Sequence, residues 1–348
     1  MPILDQGYQH WNGVLAGHAW RWLAVTRQGI QAQFQNRTVR YVMLATWIPA
    51  LVLAAFLVVW GLFEQKSTLI TPFLVLFRSL PEELKEGPRG FRTTFWTIAF
   101  GLFFEVQLFL TMIVAAQVGP DLISQDLRSN AIPLYLSRPL RRIDYFLGKL
   151  GVIASFLATA IILPVFGAYG FGICFSLDPG VLRDTERILL GAVAFGLIVV
   201  VSAGTLMLAI SSLSKNSRYV GAMWLAFWIL GNLTATTLNQ TIHRPWCPLI
   251  SYTSNLTSVR DRLLDYDNAW LRANTLFQAG KDGLRTASGF GPRSVRNHDH
   301  PASKPTSLDL AKDPLVPPWT WSAGVLLGLA VLSVVILSTR VRSLDRAR

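Results

Sequence analysis

The stretch Gly119–Lys149, GPDLISQDLRSNAIPLYLSRPLRRIDYFLGK, separates two long apolar runs. Residues 94–118 before it carry one charged side chain, Glu105, and residues 150–175 after it carry none. A helix of roughly 20 apolar residues crosses about 30 Å of hydrocarbon. The polar stretch is therefore a connection at a membrane surface, and its neighbours are spans. The same criterion picks out six runs: Tyr41–Phe63, Thr94–Val118, Leu150–Phe175, Ile188–Ser211, Tyr219–Leu238 and Trp319–Ser338. In lipid each backbone polar group needs a partner within its own segment or a closed barrel. Period-two alternation is weak in these runs, which argues against a barrel. The fold class is an all-α integral membrane protein with six transmembrane helices.

Composition agrees. The 348 residues are 51% hydrophobic and 15% charged, with a mean hydropathy of +0.39, whereas soluble domains carry roughly 25% charged residues. Tyr41, Trp60, Trp96, Tyr219, Trp319 and Trp321 sit near span ends, as an interfacial belt requires, while Trp224 and Trp228 lie deeper as packing residues. The net charge of +12 comes from basic residues that flank the spans. Anionic lipid headgroups are the partner this placement suits, and no basic stripe suggests nucleic acid. Cys174 and Cys247 form no framework and read as free thiols. Together with His243, His298 and His300 they have no metal-ligand spacing. The first 40 residues show no cleavable leader, so the first span is expected to act as an uncleaved insertion signal.

Six spans put both termini on one side. With the termini inside, the inner segments hold 15 Lys and Arg, against 7 in the outer segments other than the long loop 239–318. Long loops cross largely regardless of charge. The bias predicts cytoplasmic termini, and the tail RVRSLDRAR is its cleanest support.

Four regions follow. Residues 1–40 include an amphipathic stretch with Trp20, Leu23, Ala24, Arg27, Ile30, Gln31 and Phe34 at helical spacing. It reads either as a helix lying in the cytoplasmic interface or as one packed on other protein. Residues 41–238 hold five spans and the polar segment 119–149. The first outer loop contains the apolar patch Leu69–Phe77, too short and Pro-interrupted to span. Residues 239–318 form a long extracytoplasmic loop with an amphipathic helix around Val259–Leu264, followed by a Gly-, Pro- and Ser-rich part, Gly280–Pro318, whose composition suggests disorder. Residues 319–348 are the sixth span and a basic tail.

Within 119–149, Gly119-Pro120 is a helix stop. Leu122, Ile123 and Leu127 then give a short apolar stripe beside Asp126 and Arg128, and Ile143, Phe146, Leu147 and Leu150 restart a helix into the third span. This predicts a short cytoplasmic helix along the membrane followed by a basic re-entry. A plain cytoplasmic hairpin with positive flanks would look similar.

The segment resembles the permeases of the second ABC exporter class. In that class an acidic residue precedes a short helix and a Leu-rich turn, which runs into Ser-x-Pro, a basic or polar pair, and a Gly-Lys opening the next span. Here these features are Asp126, Leu134-Tyr135-Leu136, Ser137-Arg138-Pro139, Arg141-Arg142 and Gly148-Lys149. Asn130 stands where the class often has Gly, Pro133 interrupts what is often continuous helix, and the last outer loop is long for the class. The resemblance implies a permease half that works as a homo- or heterodimer with a second permease chain and with separate ABC ATP-binding subunits. It implies ATPase coupling through Asp126, Leu127 and Arg128, supported by Ser137, Arg138, Pro139, Arg141 and Arg142, in a bacterial-type inner membrane. The chain has no phosphate loop: Gly148-Lys149 is followed by Leu150 and Gly280-Lys281 by Asp282. ATP would be bound by the partner, so this chain is expected to carry no cofactor and no catalytic site.

Glu105 and Gln107 are the second feature. A carboxylate in mid-span must face the bundle, a partner or water. It is either a structural group or part of a translocation path, and no basic partner lies in the spans. A secondary transporter driven through Glu105 and a non-transporting anchor or sensor that binds through its outer loop are the rival functions. Pro49 and Pro164 inside spans predict kinks, and Gly191, Gly196 and Gly204 predict close helix contact.

Overall fold

The computed structural model describes residues 20–65, 88–131, 141–176, 178, 180–242, 244–275 and 317–346. The described elements are helical. In chain order they are α1 (Arg21–Phe34), α2 (Arg37–Ala45), α3 (Trp47–Glu64), α4 (Arg92–Val118), α5 (Pro120–Arg128), α6 (Arg142–Ser176), α7 (Gly180–Ser211), α8 (Ser217–Ile242), α9 (Tyr252–Leu264) and α10 (Trp319–Arg346). Short 3-10 turns at Pro88–Phe91 and Cys247–Ile250 precede α4 and α9.

Six helical stretches are long and apolar enough to cross a membrane: Arg37–Glu64, Arg89–Arg128, Ile143–Ser176, Gly180–Ser211, Ser217–Ile242 and Trp319–Arg340. They coincide with the six runs read from sequence. The protein is an all-α, multi-pass integral membrane protein. We call the end of the bundle that carries α1 and α5 proximal, and the opposite end distal.

α7 is the most enclosed span and α8 and α10 are the least. The glycines of α7 explain how it fits. A Cβ at Gly191 would lie 2.7 Å from the Leu263 carbonyl oxygen, and one at Gly196 would lie 2.8 Å from the Ile162 side chain. Aromatic rings fill the distal half: Trp96 meets Tyr169 edge-on at 5.5 Å and Phe104 meets Phe195 at 4.9 Å. Trp60 and Trp96 are buried, so they belong to this core rather than to the interfacial belt. Tyr41, Tyr219, Trp319 and Trp321 are exposed at span ends as the belt requires. Trp224 is buried, and its indole donates to the Met112 carbonyl at 3.1 Å.

The distal ends of α3, α4, α6 and α7 converge on Arg92, a guanidinium 2% exposed. It donates to both oxygens of Glu64, to Asp178 at 2.7 Å and to Asp184 at 2.8 Å. Exposed Arg89 lies 3.8 Å from Glu64 and 3.9 Å from Asp178.

The region read as an extracytoplasmic loop does not stay outside. After α8 the chain turns back along that helix, and α9 lies among α4, α7, α8 and α10. At its start Tyr252 shares a hydrogen bond of 2.9 Å with Ser202. Ser202 is nine residues from the proximal end of α7, or about 14 Å at 1.5 Å per residue. At the other end of α9 the Leu263 carbonyl abuts Gly191, nearer the distal side. α9 is thus a re-entrant helix that dips deep into the bundle and rises again. Ser251 caps its first turn, accepting from the Ser254 amide. Residues 266–275 are helical as well. The apolar patch Leu69–Phe77 and residues 280–316 lie outside the described residues.

Candidate functional site: the proximal elbow and the mid-span ion pair

The elbow begins at Gly119-Pro120. The expected helix stop is a kink instead. Gly119 keeps helical angles, φ −69 and ψ −42, so α5 follows α4 without a loop. Pro120 has no N–H for the carbonyl of the preceding turn and its ring crowds that turn, which bends the chain rather than ending the helix. Ser211, at the end of α7, compensates. Its hydroxyl accepts from the Ile123 and Ser124 amides, both at 3.2 Å, and donates to the Pro120 carbonyl at 2.9 Å. The Ser124 hydroxyl reaches Ser217 at the start of α8 at 3.2 Å.

α5 ends in a Schellman motif. The Ala131 amide donates to the Asp126 carbonyl at 3.0 Å, and Asn130 takes the left-handed conformation, φ 51. Asn tolerates this region better than other residues with a Cβ, so the departure from Gly at this position costs the turn little.

One face of α5 is locked inward. Leu122, Ile123 and Ser124 are buried and Leu127 packs partly against the core. Asp126 is on this face too, 8% exposed. Its Oδ2 accepts from Lys149 Nζ at 2.7 Å and from the Tyr145 hydroxyl at 2.7 Å, and the Lys149 ammonium lies 5.6 Å from the Tyr145 ring centroid. Asp126 therefore ties α5 to the start of α6 and does not present itself to a partner.

The other face, Asp121, Gln125 and Arg128, is exposed, continuing to Ser129. Of the three residues expected at the motor contact, only Arg128 is on it. Asp121 and Gln125, which the sequence reading did not single out, share this face with Arg128, at helical spacings of seven and three residues. Arg141 is exposed, and its amide donates to Asp144 at 3.1 Å, which caps the start of α6. Ser137, Arg138, Pro139, Leu134–Leu136, Pro133 and the Arg142 side chain lie outside the described residues.

α1 packs beside the elbow. Thr26 donates to the Gly148 carbonyl at 3.0 Å, and Phe34 meets Phe156 at 4.9 Å. A Cβ on Gly148 would lie 2.7 Å from Val25, so the Gly of the Gly-Lys pair is where α1 crosses α6. One face of this helix packs on α6, as the second reading expects, and Trp20, Leu23 and Arg27 on the other stay exposed.

Glu105 lies midway along α4 and has a basic partner after all. Arg260 of α9, 2% exposed, donates to Glu105 at 2.8 Å, to the Gly101 carbonyl at 3.3 Å and to Asp261 at 2.7 Å. Its guanidinium sits 5.1 Å from the Tyr266 ring centroid. Sequence reasoning missed this pair because Arg260 was assigned to the loop outside. The Glu105 side chain is 53% exposed, on a stripe with Leu102, Val106 and Phe109.

Gln107 is not on that stripe. It is fully buried, and its amide nitrogen donates to the Thr46 carbonyl, at the α2–α3 junction, at 3.2 Å and to the Ala160 carbonyl. Pro164 has no N–H for Ala160, so Gln107 supplies the missing donor and joins three spans. Glu105 and Gln107 thus do not form one surface. Cys174 is an exposed free thiol and Cys247 a buried one. Among the described residues no group of three or more His, Cys, Asp or Glu could hold a metal ion.

Residues 28–266 match a family model described as ABC-2 family transporter protein. This region takes in the second half of α1, the elbow, Glu105 and the whole of α9. No curated protein matches the chain.

Proposed function

Because the chain belongs to the ABC-2 transporter family, which is a family of membrane components of transport systems, we propose that it is the permease subunit of an ATP-driven exporter. A separate ABC ATP-binding subunit hydrolyses ATP, and a second permease chain completes the pore. The proximal end faces the cytoplasm, in a bacterial-type inner membrane. The basic bias of the proximal segments supports this orientation.

The observation that carries the reading is the two-faced helix α5. A motor needs a rigid element exposed on one side and fastened to the spans on the other. α5 exposes Asp121, Gln125 and Arg128, while its inner face is joined to α6 by Asp126–Lys149, to α7 by Ser211 and to α8 by Ser217. Movement of α5 then passes through the Pro120 kink into α4 and through Lys149 into α6.

The test is affinity capture of the tagged chain from its native membrane in mild detergent. A near-stoichiometric ATP-binding protein should come with the wild type and be lost from an Arg128→Glu, Gln125→Arg variant that melts like wild type. Leu127→Pro should insert normally yet abolish stimulation of the partner's ATPase. Absence of any ATP-binding protein, under conditions that keep other membrane complexes intact, would remove the proposal.

A further inference from the structure

A cavity of about 590 Å³ opens near the distal end between α4, α7, α9 and α10. Its volume is in the range of small-ligand sites, and its chemistry is divided. Three guanidinium groups line it: Arg187 of α7, Arg262 of α9, and Arg272. All three residues are exposed, and no carboxylate is paired with any of them among the described residues. One carboxylate, Asp265, also lines the cavity. It accepts a hydrogen bond from Asn268 at 2.6 Å. The charge around the mouth remains positive.

The remaining wall changes with depth. Thr93, Thr94 and Thr97, in the first two turns of α4, offer hydroxyls. Trp319, at the start of α10, marks the level where aromatic side chains meet the headgroups. Further in, the lining is Ile198, Val259 and Ala323. Ile198 is eleven residues along α7 from Arg187, about 16 Å at 1.5 Å per residue. The cavity therefore runs from a cationic mouth at the interface to an apolar floor at hydrocarbon depth.

Unpaired guanidinium groups beside a low-dielectric wall call for an anion, and their planar forks suit phosphate oxygens. An apolar floor beneath calls for a chain attached to that anion. We propose that this cavity binds a phosphate-bearing amphiphile, with its head among Arg187, Arg262 and Arg272 and its apolar portion against Ile198 and Val259. An acidic phospholipid of the surrounding leaflet is such a molecule, and free phosphate shares only its head. The site is independent of the elbow and of which side is cytoplasmic.

The test uses the full-length chain in mild detergent, incubated with phosphatidylglycerol or phosphatidylcholine of matched acyl chains, and native mass spectrometry to count retained lipid. The wild type should retain phosphatidylglycerol over phosphatidylcholine by about tenfold, as several charge-assisted contacts would give. The triple variant Arg187→Gln, Arg262→Gln, Arg272→Gln should fall to the phosphatidylcholine level while eluting as the same monodisperse species. Arg183→Gln, an exposed α7 residue outside the cavity, should retain lipid as wild type does. Equal retention of the two lipids, or full retention by the triple variant, overturns the proposal. Inorganic phosphate at millimolar concentration should not displace the lipid. Complete displacement would mean a site for free phosphate and would overturn the apolar half.

Discussion

At the distal end one buried guanidinium, Arg92, gathers carboxylates from α3, the α6–α7 corner and α7, whereas at the proximal end α5 is held by one ion pair and a few hydroxyls. The distal arrangement fastens four spans to one another and leaves little to adjust. The proximal arrangement fastens one short helix and leaves its outer face bare. A buried charge network of the first kind resists change because each member left alone would be an unpaired ion in a poor solvent. A lone pair of the second kind can shift with its helix. On the proposed function, the distal end is the fixed end of the bundle and the proximal end the driven one.

The largest expected effect tests the closed end. Arg92→Leu leaves the Glu64 side chain, 3% exposed, as a buried carboxylate with only the solvent-exposed Arg89 guanidinium, 3.8 Å away, in place of its buried partner. Removing one partner of a buried ion pair costs about 3–5 kcal/mol, so this variant should give little monodisperse protein and melt far below wild type. A melting curve unchanged from wild type would mean that the distal carboxylates are not held as the structure draws them.

Asp126→Ala is the matching test at the other end. Lys149 and Asp126 retain some exposure, 14% and 12% of their side chains, so the cost should be nearer about 2 kcal/mol. Partner capture should survive, because Asp121, Gln125 and Arg128 are untouched, while stimulation of the partner's ATPase should fall. Asp126→Asn, which keeps an acceptor for Tyr145, should lose less of both. Loss of capture in Asp126→Ala at wild-type stability would instead make Asp126 a contact residue and erase the distinction between the two faces.

Residue spacing carries that distinction, although the family resemblance puts Asp126 and Leu127 with Arg128 at the motor contact. Asp126 follows Leu122 by four residues and Ile123 by three, which puts it on the apolar stripe of a helix rather than opposite it. The six spans were also legible, because length and hydropathy alone set them. Two things were not. The Arg92 lock joins residues 64, 92, 178 and 184, and near the span ends these look like ordinary charged flanks. α9 carries Asn255, Arg260 and Asp261 and is too short and polar to be read as membrane-embedded. It is stable there through tertiary partners, namely Glu105, Ser202 and the Gly101 carbonyl. The Asn255 amide adds bonds to the Leu249 and Ser251 carbonyls.

A smaller effect asks how far the mid-span pair shares the rigidity of the distal lock. Glu105→Gln removes one charge from Arg260 but leaves Asp261 and the Gly101 carbonyl in place. With the Glu105 side chain half exposed, the loss should be about 1 kcal/mol or less, read as a small fall in melting temperature. Transport should persist, whereas a transporter driven by protonation of Glu105 would stop. Gly101→Leu should be much worse in the same assay, since even a Cβ there would lie 2.0 Å from the Tyr266 ring and would push residue 266 and its neighbours away from α4.

The smallest effect is a pH dependence at the edge of the distal lock. Hydrogen bonding from Arg92 holds the Asp178 carboxyl below the usual carboxylate range, helped by the Gly180 amide and the nearby charge of Arg89. A carboxyl whose folded value is depressed contributes stability that is fully present above its unfolded value. That contribution is lost as the pH falls through the folded value. Between about pH 8 and about pH 5 the melting temperature of wild type and Asp178→Asn should therefore run parallel. From about pH 4 downward the wild type should fall more steeply, because only it has this proton to take up. Parallel curves down to about pH 3 would show that Asp178 is a spectator and that Arg92 is held by Glu64 and Asp184. The distal lock would then join three spans through two carboxylates, and the comparison with the proximal pair would narrow accordingly.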